Sequence, residues 1–501
     1  MSSPSPYHEW IKSLIDSGYA NLKFLDDKIM QQPEHQGATC TIFSFSRDGR
    51  LQGAGSASET DFDKAAVGKS RRVFVLEGLS KTFIEKLGLV LDIEPEFFAA
   101  HLRATTWEHY DDRSDAVMLP SIRKQTKFWT VQYLECIRLN RKYRLGRTRL
   151  IPWNPVFRRM FIRSPHKDQK AQYSIGLVNR FVSFWEKTSS DGNFDGNVAV
   201  VLVDIPLPAN LSFEYDDVQP PEVTTTTWSP YGGGFVDFAN LEVRRAFAQH
   251  CPKNYEIRNS SVKDSLLWRL RYPELFRCSG DQTTPVQMIL QRIALSNWTL
   301  TIAFLRRDFN SINLRDFTSE RIPTFQVKQT LDDLMACRDL LNRCWLLLRK
   351  NLGQLNIPAE DDGQGVLTAA NANSSTELLR LDWEFVWCEL RHWIEETDRL
   401  VELRLAKLSV LDSKRSRLDS KRSEQISYSS AQITKLGQIL LLVYTPAAFA
   451  YGVLSMGGDF SPGNKKFWVF FAIAIPLGTL TNVLFIIWMR LGRRAELPLD
   501  A

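Results

Sequence analysis

LGQILLLVYTPAAFAYGVLSM, residues 436–456, and FWVFFAIAIPLGTLTNVLFIIWM, residues 467–489, decide how this chain is read. Neither stretch holds Asp, Glu, Lys, Arg or His. Lys435 and the Gly457-Gly458-Asp459 break bound the first, and Lys466 and Arg490 bound the second. At about 1.5 Å rise per residue each makes a helix of about 30 Å, the thickness of a bilayer's hydrocarbon core. One Asp or Lys at the centre of such a helix would cost about 2.5–3.5 kcal/mol on insertion scales, so its absence from both is a selected feature. Two buried core helices are the competing reading. Uncharged runs beyond about 18 residues are rare in cores, and here two follow one another, so the pair reads as a membrane hairpin.

The rest of the chain reads as a soluble body. Of 501 residues 44% are apolar and 24% charged, with a net charge of +6, and the mean hydropathy is −0.23. A polytopic transporter would be far more apolar. Cys40, Cys136, Cys251, Cys278, Cys337, Cys344 and Cys388 form no C-x-x-C pair. An odd, scattered set reads as reduced thiols in a cytosolic body rather than a disulfide framework. The first ten residues carry no basic region leading into an apolar run and include Glu9, so neither a secretory signal nor a mitochondrial presequence is expected.

Working back from the hairpin, no Pro or Gly occurs between Thr376 and Lys435. Leu379, Trp383, Val386, Leu390, Trp393, Thr397 and Leu400 follow a 4-3 spacing, the seam of a coiled-coil-like helix. A single long helix is expected to run from Thr376 into the first span. Before it, 353–375 is rich in Gly, Asn, Ala and Ser and is expected to be a linker; its Glu360-Asp361-Asp362 cluster reads as a solvated loop. Val286–Phe309 and Val327–Leu352 have helical periodicity. Over residues 38–205, strand candidates at Ala38–Phe45, Arg72–Leu76, Phe128–Leu139, Arg149–Trp153 and Val198–Ile205 alternate with helical runs at Leu79–His101 and Ile175–Lys187. That alternation suggests a mixed α/β body. Residues 7–32 read as a surface helix, and 219–234 as a loop. The expected organisation is an N-terminal helical extension (1–35), a cytosolic mixed α/β domain (36–285), a helical region and stalk helix (286–435), the transmembrane hairpin (436–489) and a basic tail (490–501). The fold class is therefore an α+β membrane protein.

Charge fixes the expected orientation. Lys414, Arg415, Arg417, Lys421 and Arg422 precede the hairpin and Arg490, Arg493 and Arg494 follow it, while the turn between the spans sets Asp459 against Lys465 and Lys466. Positive charge is denser on the terminal sides, so both termini are expected in the cytosol. The basic run reads as topology or lipid-headgroup charge rather than a nucleic-acid patch, because it adjoins a span. Without a presequence, the plasma membrane is expected ahead of the mitochondrial inner membrane.

This layout resembles the CorA family of divalent-cation channels, in its fungal CorA-like branch. Local sequence agrees at Leu76-Glu77-Gly78-Leu79 with Phe83-Ile84-Glu85-Lys86-Leu87-Gly88 and Phe97-Phe98. It agrees again at Val200-Val201-Leu202-Val203-Asp204, at Leu290–Trp298 and at Asp382-Trp383-Glu384-Phe385. In the first span, Pro446 and the run Tyr451–Gly457 are similar to the family's Pro…Gly-x-x-Gly-Met-Asn ending. The family's Gly-Met-Asn mouth is Ser455-Met456-Gly457 here, and Gly457 has no amide side chain to hold a hydrated Mg²⁺. The resemblance implies Mg²⁺ or another divalent cation as transported and regulatory ion. It also implies a homopentamer of two-span subunits in the lipid bilayer, with no tightly bound cofactor. The acidic residues that would hold a regulatory metal are not marked in the sequence.

Within the first span, Thr434, Gln438, Leu441, Thr445, Ala448, Gly452 and Ser455 form one 4-3 stripe of mostly small or polar residues. Oxygen ligands along a bundle axis suit a strongly hydrated cation. Small residues equally let helices pack closely in lipid. Two spans cannot enclose a pore, so conduction needs a ring of subunits. A non-conducting, membrane-anchored interaction module is the alternative. Enzyme signatures are weak: Gly68-Lys69-Ser70 lacks the phosphate-loop glycine at Asp63, Gly53-Ala54-Gly55 lacks a third glycine, and His109 near Asp111 and Asp112 reads as a surface residue. No catalytic constellation is expected.

Overall fold

The computed structural model describes residues 5–33, 37–46, 48–58, 61–62, 71–102, 125–143, 146–150, 158–163, 173–187, 198–215, 223–233, 261–271, 286–314, 324–358, 375–455 and 463–495. Two compact units emerge, Met1–Leu405 and Ala406–Ala501.

The first unit is built on β3 (Arg72–Glu77) and β8 (Val198–Val203), adjacent and parallel. Val73, Val75, Val201 and Val203 enter one core, while Phe74, Leu76, Val200 and Leu202 enter another. Period-two geometry sends successive side chains to opposite faces, so a strand covered on both sides must be apolar at every position. The other strands are β1 (Thr39–Phe45), β2 (Leu51–Ser56), β4 (Phe128–Leu139), β5 (Gly146–Leu150), β6 (Arg158–Arg163), β7 (Ser174–Lys187), β9 (Asn210–Tyr215) and β10 (Val223–Pro230). Their order is β2-β1-β3-β8-β7-β4-β10-β9-β5-β6, and β6 also pairs with β7, curling that half of the sheet back on itself. Ile137, Met160, Ile162, Val178, Leu211 and Phe213 fill this curl. It is tight: a Cβ on Gly176 would stand 2.7 Å from the Met160 sulfur.

Helices cover both faces. On one side lie α1 (Pro6–Asp16), α2 (Lys81–Leu91) and α3 (Pro95–Leu102). Ser5 caps α1 from His8 N–H, with Pro6 at the first helical position. Tyr7 packs against Gly88, where any Cβ would meet its ring at 2.2 Å, and donates its hydroxyl to Ile93 O at 2.7 Å. On the other side lie α4 (Val262–Arg271), α5 (Val286–Leu314), α6 (Thr324–Gln354) and the start of α7 (Ser375–Leu454). β10 pairs with β4 only at Ile137–Leu139. Helix side chains close the remaining edge. Asn351 accepts from Gln132 N–H at 2.9 Å and donates to Gln132 O at 2.6 Å. Trp298 Nε1 donates to the same carbonyl at 3.2 Å, and Thr301 to Leu134 O at 3.0 Å. An open edge is an aggregation template, and here it is spent on fixing the helix layer.

Four expectations change. Ile175–Lys187 is strand, not helix: β7 is buried along nearly its whole length, and a run apolar on both faces has no period to read. Residues 223–230 form β10 inside the expected loop, where four β-branched threonines outweigh the flanking Pro and Gly. A further strand, β2, forms between the strands expected at Ala38–Phe45 and Arg72–Leu76, with Gly53 and Gly55 in an exposed edge strand rather than a phosphate loop. Residues 7–32 are not one surface helix: α1 gives way at Gly18 (φ +103°) to short turns, and Ile11, Leu22, Leu25 and Met30 are buried. The helices at 81–102, 286–314 and 324–354 follow the sequence reading, as do β1, β3, β4 and β8. The acidic cluster at 360–362, Gly68-Lys69-Ser70, His109 and most of Arg149–Trp153 lie outside the described residues.

α7 is continuous for 80 residues. Its 4-3 seam is filled by the chain's own helices. Leu379, Trp383, Val386 and Leu390 are buried, Trp387 stacks on Trp345 at 5.0 Å, and Trp393 meets Phe309 edge-on at 5.3 Å. Arg338 of α6 pairs with Asp398 at 2.6 Å. From 412 to 438 every residue of α7 is exposed.

The second unit holds the rest of α7 and α8 (Trp468–Ala495). Three helices among the described residues are long and apolar enough to cross a membrane: Val286–Asn313, Thr376–Gly452 and Trp468–Ile487. Their apolar windows are 67%, 13% and 0% buried in the protein. α5 therefore spends its apolar surface inside the first unit. α7 and α8 leave theirs bare: Leu440, Tyr444, Phe449, Trp468, Ile475, Leu480 and Leu484 are all more than half exposed.

Candidate functional site

The carboxyl-terminal end of α7 carries the predicted stripe from Thr434 to Gly452, with Ser455 one residue past its end. Gln438, Leu441 and Thr445 line a groove of about 570 Å³ together with Leu442, Pro446 and Phe449, and α8 closes it with Leu477, Thr481 and Phe485. Thr434, Ala448, Gly452 and Ser455 lie outside the groove and are exposed. The stripe is thus divided, with its middle against α8 and its two ends open. Met456 and Gly457 of the expected mouth lie outside the described residues.

Hydroxyls in this region bond backward along their own helices. Thr434 donates to Ser430 O at 2.9 Å, Thr445 to Leu441 O at 2.6 Å and Ser455 to Gly452 O at 2.9 Å. A hydroxyl whose proton is committed this way still has acceptor lone pairs to present outward. The inner-sphere waters of a hydrated cation point their hydrogens outward, so outward lone pairs are the matching chemistry. Pro446 and Pro476 each remove one helical N–H donor within these segments. In α8, Thr479 donates to Pro476 O, Thr481 to Leu477 and Gly478 O, and Asn482 to Gly478 O at 2.7 Å. Such local partners let polar residues sit in an apolar helix. Asn482 and these threonines were not singled out from sequence; their signal is polarity inside an uncharged run.

A second polar centre is buried in the first unit, and sequence reasoning missed it. Arg158 of β6 grips Asp204, just past β8, through Nε (3.1 and 3.0 Å) and Nη2 (2.6 Å), and donates to His101 O at 3.0 Å. Asp204 also accepts from Phe181 N–H at 2.9 Å. His101 Nδ1 lies 3.0 Å from Ser183 Oγ, and its Nε2 lies 3.5 Å from Asp204. Burial alone would raise the Asp204 carboxyl; the Arg158 guanidinium, with His101 and Arg180, outweighs it and holds the group well below the usual carboxylate range. Burial lowers the His101 pKa against the pull of Asp204. A neutral ring with Nε2–H toward Asp204 and Nδ1 accepting from Ser183 satisfies every partner. Ser183, His101 and Asp204 have the residue types of a hydrolytic triad, but each is at most 5% exposed. No substrate reaches them, and the cluster joins α3, β6, β7 and β8. The only sequence signal was Asp204 itself, an acid directly after an all-apolar strand.

Burial raises the thiols of Cys40, Cys136 and Cys337 to about 12, which leaves them inert. Among the described residues no three His, Cys, Asp or Glu are placed to hold a metal.

No family model matches the chain, and no curated protein matches it in sequence. Among solved structures it is similar to the CorA magnesium transporter from Methanocaldococcus jannaschii, at 9% identity, over 90% of this chain and 98% of that one, with a TM-score of 0.28. A likeness at that TM-score carries no argument about chemistry.

Proposed function

We propose that α7 and α8 cross the membrane as a two-span hairpin and that copies of the chain assemble into a CorA-like divalent-cation channel, with Mg²⁺ as cargo. The observation that carries this reading is the surface of the second unit, an apolar helix pair left bare and interrupted by a line of hydroxyl and amide groups. Bare Leu, Ile and Phe need lipid or another helix, each worth about 1.5–3 kcal/mol when covered. The outward lone pairs of Thr434, Thr445 and Ser455, with Gln438, suit a cation that keeps its waters. The first unit is then the cytosolic regulatory domain, with both termini in the cytosol and the plasma membrane as its site. Assignment to the fungal branch and a ring of five rest on the motif resemblance alone.

A second reading is a non-conducting, membrane-anchored interaction module. Ser455-Met456-Gly457 in place of Gly-Met-Asn favours it, because the side-chain amide at the mouth is missing. Mg²⁺ flux into liposomes holding the purified protein separates the two. The channel gives flux that Thr445→Leu and Ser455→Leu each cut at least tenfold. No flux at any internal Mg²⁺ concentration retires the channel and leaves the module.

A further inference from the structure

Two polar side chains in the second unit are left in a setting that neither tolerates alone. Tyr444 is 76% exposed. Asn482 is exposed too, and its one internal bond, Nδ2 to Gly478 O, uses a single donor of a group with two donors and an acceptor oxygen. In hydrocarbon an unmatched polar group costs several kcal/mol.

Their depths agree. Tyr444 lies nine residues past Lys435 and Asn482 eight residues before Arg490. At 1.5 Å per residue the two stand about 13 and 12 Å in from the same face of the hydrocarbon layer. Their directions do not agree. With about 100° between successive residues, Tyr444 points about 130° away from the groove-lining side of α7, and Asn482 about 100° away from that of α8. Leu442, Thr445 and Phe449 mark the middle of the groove side on α7, and Leu477, Thr481 and Phe485 mark it on α8. A phenol donor and a carboxamide acceptor thus sit at one level on outer faces of the same hairpin.

Resting on the two-span reading above, we infer that the Tyr444 hydroxyl of one copy donates to the Asn482 side-chain oxygen of the next. The occupant is a second copy because the complementary groups belong to one chain at one depth. The contact joins unlike surfaces, and a head-to-tail contact generates a ring rather than a two-fold dimer. It also leaves the open ends of the polar stripe, Thr434 and Ala448, Gly452 and Ser455, free. By helical angle those open ends lie between the groove on one flank and Tyr444 on the other, so α8 of the same copy covers one side, the neighbour covers the other, and the open ends face the axis.

Disulfide trapping in membranes of cells expressing the full chain tests this. Tyr444→Cys with Asn482→Cys in one chain is expected to give a ladder of oxidant-dependent oligomers above the unsubstituted protein. Each single variant stays at that baseline, and the two single variants mixed stop at dimers. Tyr444→Phe and Asn482→Leu keep shape and apolarity, and each is expected to weaken assembly in bilayers roughly three- to tenfold, with no further loss in the double variant. Self-cross-linking of Asn482→Cys alone, or an oligomer with no ladder, overturns the contact and leaves the membrane reading intact. Release of the protein by carbonate overturns both. A ladder without Mg²⁺ flux retires the channel and keeps the contact.

Discussion

The two units solve opposite problems. Met1–Leu405 hides charge: Arg158, Asp204, Arg163 and Asp308 are each less than 10% exposed, and each is gripped by a partner at 2.6 Å. Ala406–Ala501 displays apolar surface and charges at its polar end that have no cover. In water each arrangement would be unstable by the other's rule. An unpaired buried ion is expensive inside a protein, and a bare apolar helix pair is expensive outside one. Burial thus satisfies the first unit's groups, while the apolar windows of α7 and α8 are left 13% and 0% buried by the protein itself. α5, apolar enough to span a bilayer, is instead mostly buried in the first unit, where its Trp298 and Thr301 bond the β4 edge.

That contrast can be broken from either side. The largest effect is expected at Asp204. Asp204→Ala strands Arg158 without its partner, and losing one member of a buried pair costs about 3–5 kcal/mol. Chemical denaturation of the first unit should register it, while membrane insertion stays unchanged. Next comes Leu480→Lys, at a site 57% exposed. In water an exposed lysine is neutral to stability; near the centre of a span it costs about 2.5–3.5 kcal/mol. Glycosylation-tag mapping of insertion should show the loss, and unimpaired insertion would remove α8 from the membrane. Asn351→Leu is smaller: it leaves the N–H of Gln132 unpaired in the core, at about 1–3 kcal/mol. Hydrogen exchange at Gln132 should accelerate with little change at β3 and β8.

Legibility followed the same divide. The two long apolar helices were readable because absence of charge over a long run has few explanations. β3 and β8 were readable because short apolar runs bounded by turns are strands. β7 was not: Ser174–Lys187 is covered on both sides, so its apolar residues have neither a two- nor a 3.6-residue period. β10 was hidden by Pro and Gly that belong to its flanks. The 4-3 seam of α7 was visible, but its partners were not, since the same spacing serves a coiled coil or a helix layer. For the candidate site, the stripe was legible, whereas its division by the groove depends on where α8 packs. The His101–Asp204–Arg158 cluster brings together residues 46 to 103 positions apart, which no local pattern encodes.

The smallest effect is a pH dependence confined to the first unit. His101 is held neutral below its ordinary value, burial being the chief cause and the facing Arg158 and Arg180 adding to it against Asp204. As pH falls below about 6.5 the unfolded chain takes up a proton there that the native one refuses. The unfolded state then binds more protons, so stability drops as pH decreases, until the native ring titrates. Asp204, whose native pKa is depressed, acts with the same sign lower down: its contribution is full above about 4 and fades in stronger acid. Glu94 acts in the opposite sense, since burial and then Glu96 raise its carboxyl. The difference between the parent protein and His101→Gln removes Glu94 from the comparison. The parent should lose stability relative to the variant as pH falls from about 6.5 toward 5, by at most about 1.4 kcal/mol per pH unit. Equal slopes in the two proteins would mean that His101 is protonated in the fold. The neutral ring that joins Ser183 to Asp204 would then be wrong.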